Sequence, residues 1–241
     1  MTIEPIAFFH SPMTSKFGIP RQSGLADALP GQIIFEPPFR HPDAVRGLDD
    51  FDYLWLIWEF SANASPAKKS LDANQIHNDG MVDGRPSLTV RPPRLGGNTR
   101  IGVFASRSPF RPNRLGLSCV YINKVELTTT KGPVIHVRGA DLMDGTPIYD
   151  IKPYVAYADS HPDARSGFVD TTQWQMLDVV IPDALARCFT PEELTGLRQV
   201  LAQDPRPPYH DDDNRVYGMP FAGRDVRFRV ADGVLSVVEV V

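Results

Sequence analysis

Three carboxylates crowd one short stretch of the chain. The run from Gly139 to Tyr154, GADLMDGTPIYDIKPY, sets Asp141, Asp144 and Asp150 about a Gly145-Thr146-Pro147 turn. Such a cluster can hold a cation, accept a proton or grip ribose hydroxyls, and it can equally do no more than cap the turn. A second stretch, Ser11 to Leu25, ends in Pro20-Arg21-Gln22-Ser23-Gly24-Leu25. A rigid proline followed by polar groups and a glycine can present backbone amides and carbonyls to a ligand, or form an ordinary structured turn. The third stretch is basic. Between Arg85 and Arg114 lie Arg85, Arg91, Arg94, Arg100, Arg107, Arg111 and Arg114, without one Asp, Glu or Lys. Prolines at 92, 93, 109 and 112 hold that chain extended while the arginines project from it, so little backbone is left to order on binding.

Charge gives the arginines their meaning. The whole chain carries 25 basic and 29 acidic residues, a formal net charge of −4 that by itself argues against a nucleic-acid partner. Outside the arginine window, 18 basic residues face all 29 acidic ones. An acidic protein with one concentrated basic segment steers a polyanion to that place and repels it elsewhere. Guanidinium groups suit bidentate binding of phosphate or carboxylate. The alternative is that some of them pair with Asp43, Asp49, Asp50 and Asp52.

Absent motifs exclude several classes. No G-x-G-x-x-G follows a strand, and there is no G-x-x-x-x-G-K-[ST], H-E-x-x-H or G-x-S-x-G. The six histidines are scattered without metal-ligand spacing, so no metal is expected. Cys119 and Cys188 stand far apart and outside any C-x-x-C pattern, which speaks for a reducing, cytoplasmic compartment. Residues 1–20 lack a basic start followed by an apolar core, so no leader is expected. The longest apolar run, Tyr53 to Phe60, is far too short for a membrane span.

The elements that must position these groups are mostly strands. Ile3 to His10, Gln32 to Phe35, Arg100 to Ala105, Leu115 to Leu127 and Val134 to Val137 read as strands broken by Pro, Gly and Thr-rich turns. Tyr53 to Trp58 is apolar at every position and reads as a strand buried on both faces. Ser61 to Pro86 is polar and aperiodic and reads as a long, mobile loop, of a length that is usually either a functional lid or disordered. About seven strands in the first ~155 residues, with little helical signal, call for a closed or nearly closed barrel of non-Rossmann type. Past Asp163 the texture changes. Thr190-Pro191-Glu192-Glu193 is a helix start, and Leu194, Leu197, Val200 and Leu201 follow on one face. Asp225 to Val230, an Ala231-Asp232-Gly233 turn and Val234 to Val241 form a hairpin. Val226, Phe228 and Val230 take one side of it and Arg227 and Arg229 the other. The chain is therefore expected to be mainly β: a barrel domain over 1–160 and a small α+β domain over 161–241.

On these segments the chain resembles the TsaA-like (YaeB-like) family of tRNA (adenine-37-N6)-methyltransferases. The matching stretches are Ser11 to Gly24, Asp43-Ala-Val-Arg-Gly-Leu48, Arg91 through Gly116, Asp141 to Tyr154 and Leu201-Ala-Gln-Asp-Pro-Arg-Pro207. They span nearly the whole chain apart from the 61–86 loop. The resemblance implies an S-adenosylmethionine site on the barrel, formed by Gln22, Ser23, Gly24, Phe60, Ser61, Arg107, Leu117, Arg138, Gly139, Ala140 and Asp141. Ser61 stands where relatives carry a polar aromatic residue. The resemblance further implies N6-methylation of threonylcarbamoyl-adenosine at position 37 of threonine tRNA. A homodimer and a second domain that helps hold the anticodon loop are also implied.

Physical chemistry fits that assignment. Methyl transfer from a sulfonium needs an amine nitrogen held in line at about 3 Å, which is chiefly proximity and orientation, so no triad or metal is required. The N6 of the modified base is acylated, and a carboxylate near it helps remove its proton. Asp141 and Asp144 are the candidates, with Tyr149 third. Arg91, Arg94, Arg111 and Arg114 would grip loop phosphates, with Arg227 and Arg229 extending the track. An RNA-binding adaptor without catalysis, or a small-molecule methyltransferase on the same barrel, are the competing readings.

Overall fold

Short apolar runs punctuated by proline and glycine fold into strands, and their alternation leaves one face to bury. The computed structural model describes residues 2–63, 81–82, 85–86, 88–172, 175–207 and 212–241. The strands in chain order are β1 (Ala7–His10), β2 (Pro30–Phe35), β3 (Tyr53–Glu59), β4 (Met81–Val82), β5 (Arg85–Pro86), β6 (Thr89–Val90) and β7 (Ile101–Gly102). After them come β8 (Leu115–Glu126), β9 (Val134–Arg138), β10 (Thr146–Pro153), β11 (Asp178–Val180), β12 (Tyr217–Phe221), β13 (Arg224–Ala231) and β14 (Val234–Val240). The helices are α1 (Ala156–Asp159), α2 (Asp183–Ala186) and α3 (Pro191–Ala202). None is long and apolar enough to cross a membrane.

Six strands close an antiparallel barrel in the order β1-β10-β3-β8-β9-β2. Closure leaves no edge to pair with another chain. Phe9, Ile33, Leu54, Leu56, Ile135 and Ile148 fill its interior. The two-residue ladders β4–β5 and β6–β7 stand outside the barrel. The strand expected over Arg100 to Ala105 is only Ile101–Gly102, followed by a 3-10 turn over Val103–Ala105. Of the expected 61–86 loop, the described parts are a 3-10 turn at Ser61–Asn63 and the β4–β5 ladder; the remainder lies outside the described residues.

One expectation is corrected. Strand β3 is not buried on both faces: Leu54, Leu56 and Trp58 point inward, while Tyr53 is exposed and Trp55 and Ile57 are half-buried. A barrel offers a strand only one interior. The outer aromatics cover one another instead, Tyr53 lying edge-on to Tyr121 at 5.4 Å and to Tyr154 at 6.1 Å. Trp55 donates its indole N–H to Asp159 at 3.1 Å. That outer cluster hides the two-residue period.

The second sheet has the order β11-β14-β13-β12, and Leu197, Val200 and Leu201 of α3 share one core with Met219, Phe221 and Phe228 of the sheet. Thr190 caps α3 with a full capping box, its hydroxyl accepting from Glu193 N–H and Glu193 accepting from Thr190 N–H. Thr190→Ala is expected to cost about 1 kcal/mol of stability, read as a lowered midpoint in thermal or urea unfolding. The cores do not divide where the chain does. Met13, Ala26 and Leu29, in the connection between β1 and β2, are buried in the second core, with Phe17 and Ile19 against it.

Candidate active site

Strand register brings a polar chain to one end of the barrel. Trp58 pairs with Gly116 across β3 and β8, which sets Ser118 within reach of the indole. Trp58 donates Nε1–H to Ser118 Oγ at 2.9 Å, and Ser118 donates its hydroxyl to Asp141 Oδ1 at 2.5 Å. Gly116 is required by this packing: a Cβ there would lie 2.3 Å from the Trp58 ring. Burial of its carboxyl is the largest influence on Asp141 and pushes its pKa up. The Ser118 hydroxyl, its own amide, the Arg107 charge and the Ser23 amide pull the other way.

The 22–24 loop closes on the same carboxylate. Ser23 offers it a backbone N–H, and Gly24 donates N–H to the Gly139 carbonyl at 2.8 Å. Arg107 donates from Nη1 to Gln22 Oε1 at 2.5 Å. On the far side the Phe60 ring lies 4.3 Å from that of Trp58, and its N–H bonds the Arg114 carbonyl at 2.9 Å. The structure thus brings together Gln22, Ser23, Gly24, Phe60, Arg107, Gly139, Ala140 and Asp141, with Ser61 next in chain. Two more of the expected set have surroundings of their own. Leu117 alternates with Ser118 and stands 54% exposed on the outer surface. Arg138 lays its guanidinium over the Tyr121 ring, 4.6 Å from the centroid.

The other two proton-acceptor candidates have different surroundings. Asp144 accepts from Ser11 N–H at 3.1 Å and faces His10 Nδ1 at 3.3 Å, pinning the turn after β1. Tyr149 occupies a bulge of β10 between Ile148 and Asp150. It donates its hydroxyl to Glu59 at 2.5 Å; that bond first, then burial and the Glu59 charge, push its pKa up to about 12. A phenol so placed stays protonated near neutrality and cannot serve as a base.

The basic strip lies beside this site. Arg91, Arg107 and Arg114 are exposed, and no described carboxylate lies within ion-pair distance of Arg91, Arg107, Arg111 or Arg114. Asp43 pairs with Arg46 instead. Arg111 donates to the Ser106 carbonyl at 3.1 Å, and Arg94 lies near enough to Arg21 to depress that group's pKa, after burial and against the opposing charge of Asp204. In the second domain Arg229 is exposed, whereas Arg227 is held by Asp225 at 3.1 Å and Glu239 at 2.6 Å. Sequence reading missed Trp58 and Ser118 as site residues; nothing local marks them.

The tRNA-methyltransferase O N-terminal domain matches residues 8–160, and the TrmO C-terminal domain matches residues 183–241. A tRNA (adenine(37)-N6)-methyltransferase of Escherichia coli (strain K12) is 37% identical over 97% of this chain and 95% of its own. A Pseudomonas aeruginosa protein provisionally named an S-adenosylmethionine-dependent methyltransferase is 35% identical over 94% of this chain and 91% of its own. The crystal structure of TrmO from Pseudomonas aeruginosa superposes with a TM-score of 0.73 at 29% identity, covering 100% of this chain and 98% of that one.

Proposed function

Because the chain belongs to the tRNA-methyltransferase O family across both of that family's domains, we propose that it is an S-adenosylmethionine-dependent tRNA (adenine-37-N6)-methyltransferase. The observation that carries the reading is the meeting of a buried carboxylate, Asp141, with the Gln22–Gly24 loop beside Arg91, Arg107, Arg111 and Arg114, none of which has a carboxylate within ion-pair distance among the described residues.

The donor set suits the cofactor. Arg107, tethered through Gln22, is placed to hold a carboxylate; Asp141 is placed to accept from an ammonium or a ribose hydroxyl; the Phe60 and Trp58 rings supply an aromatic wall. When bound, the cofactor supplies an electrophilic methyl whose donor loses its positive charge on transfer. The chain's own work is to hold the attacking nitrogen in line and to take its proton. As the new N–C bond forms, the N–H proton passes to Asp141, whose Oδ1 is held by Ser118. Burial makes that carboxylate a stronger base than an exposed one.

The acceptor is threonylcarbamoyl-adenosine 37 of threonine tRNA, in the cytoplasm, its anticodon loop lying along Arg91, Arg94, Arg111 and Arg114 and reaching Arg229. A base in that loop is already unpaired and enters a pocket at less cost than one flipped from a duplex. A homodimer, which the family resemblance implies, is part of the same proposal.

Titration of the pure protein with S-adenosylmethionine in a thermal melt tests the cofactor reading. A hundredfold excess over the dissociation constant stabilises the folded state by about 2.7 kcal/mol. A melting temperature that does not move at millimolar cofactor would leave an RNA-binding adaptor in place of the enzyme.

A further inference from the structure

The loop that meets Asp141 is fastened from behind by the other domain. On α3, Gln199 Oε1 accepts from the backbone N–H of Ala28 at 2.7 Å, and its Nε2 donates to Asp27 at 2.5 Å. One turn on, Gln203 donates to the Leu25 carbonyl at 3.3 Å. Gln203 is 8% exposed, and with Ser118 and Thr146 it makes up the buried polar residues among those described. One turn earlier, Gly196 lets the backbones approach, since a Cβ there would lie 3.1 Å from Leu29 Cα. On the opposite side Gly24 N–H bonds the Gly139 carbonyl at 2.8 Å, and Gly139 N–H bonds the Leu29 carbonyl at 2.9 Å. Residues 24–29 are therefore strung between helix α3 and the chain that leads, two residues on, to Asp141.

We propose that Gln199 and Gln203 are positioning residues for the cofactor loop, so that the second domain pre-organises the S-adenosylmethionine site. The inference rests on the reading of Gln22–Gly24 as the cofactor loop. The segment belongs to no strand or helix, and fixing the backbone of a free residue costs about 1–2 kcal/mol. A loop already held by the glutamines spares that cost when ligand arrives. The geometry also gives the buried glutamine a partner at the domain junction, its amide donating to the Leu25 carbonyl.

Gln199→Glu keeps the acceptor for Ala28 N–H and sets a second carboxylate against Asp27. Adding Asp27→Asn restores a donor to that carboxylate. Calorimetric titration with S-adenosylmethionine is expected to show about tenfold weaker binding in Gln199→Glu and recovery to within twofold in the double variant. Turnover at saturating cofactor should stay within twofold of the wild type in both, so that the KM for cofactor moves and kcat does not. Arg107→Ala serves as the reference. If Arg107→Ala weakens cofactor binding while Gln199→Glu leaves it unchanged, the positioning role is overturned and the site stands. Weak binding in Gln199→Glu that Asp27→Asn fails to restore also overturns it, as general damage to the junction. Undiminished binding in Arg107→Ala overturns the cofactor-loop reading and the inference with it.

Discussion

Asp141→Asn is expected to lower the turnover number for methyl transfer roughly 10²–10⁴-fold, the range for loss of a positioned proton acceptor. Asparagine keeps an oxygen to accept from Ser118, so the Trp58–Ser118 bond has no reason to break. What it loses is basicity. The pH dependence carries the same signature. Only the ionised carboxylate takes a proton, and burial raises the Asp141 pKa above 3.8, its ordinary value. Lowering the pH therefore protonates Asp141 before an exposed aspartate, and kcat/KM should fall on the acid side with a midpoint above the usual aspartate range. In Asp141→Asn that acid limb should vanish along with most of the rate. A loss confined to cofactor affinity, with kcat intact, would leave Asp141 only its cofactor-binding role and move proton transfer elsewhere.

Reversing Arg91 and Arg114 together to glutamate is expected to weaken tRNA binding by at least tenfold at low salt and to flatten its salt dependence. Each phosphate contact on a single strand adds about 0.7 to the slope of log K against log salt, so losing two removes about 1.4. Both side chains are exposed and neither has a carboxylate within ion-pair distance among the described residues, so the exchange disturbs no ion pair described there. Binding of S-adenosylmethionine should not change. An unaltered slope would remove the arginine strip from the RNA track and favour a small-molecule acceptor.

What could be read from the sequence was what is local. The Thr190 capping box, the apolar face of α3 and the terminal hairpin all depend on neighbours within a few residues, and all are present. The arginine strip was legible because its charge is continuous along the chain. The Trp58–Ser118–Asp141 chain was not, because its members lie 60 and 23 positions apart: Trp58 and Ser118 meet through the register of β3 on β8, and Asp141 arrives from the turn that follows β9. Arg227 shows how a single bulge defeats counting. From the pairs Ala231–Val234 and Val230–Leu235, a regular ladder sets Arg227 opposite Val238. The irregularity between Arg227 and Phe228 moves it to Glu239, which binds its guanidinium. The residues of the β1–β2 connection gave no sign that they serve the second core, since Met13, Phe17, Ile19, Ala26 and Leu29 follow neither the strand nor the helix period. That connection also carries the Gln22–Gly24 loop, so part of the site's support belongs to a domain that lies more than 150 residues further along the chain.

Methyl transfer from labelled S-adenosylmethionine to two tRNA pools, one carrying threonylcarbamoyl-adenosine at position 37 and one lacking it, is the most direct test. Label is expected in the modified pool alone, at N6 of that residue, and absent with Asp141→Asn. Equal labelling of both pools, or label at another atom, would contradict the substrate reading. No label in either pool from a protein that binds the cofactor would contradict the enzyme itself.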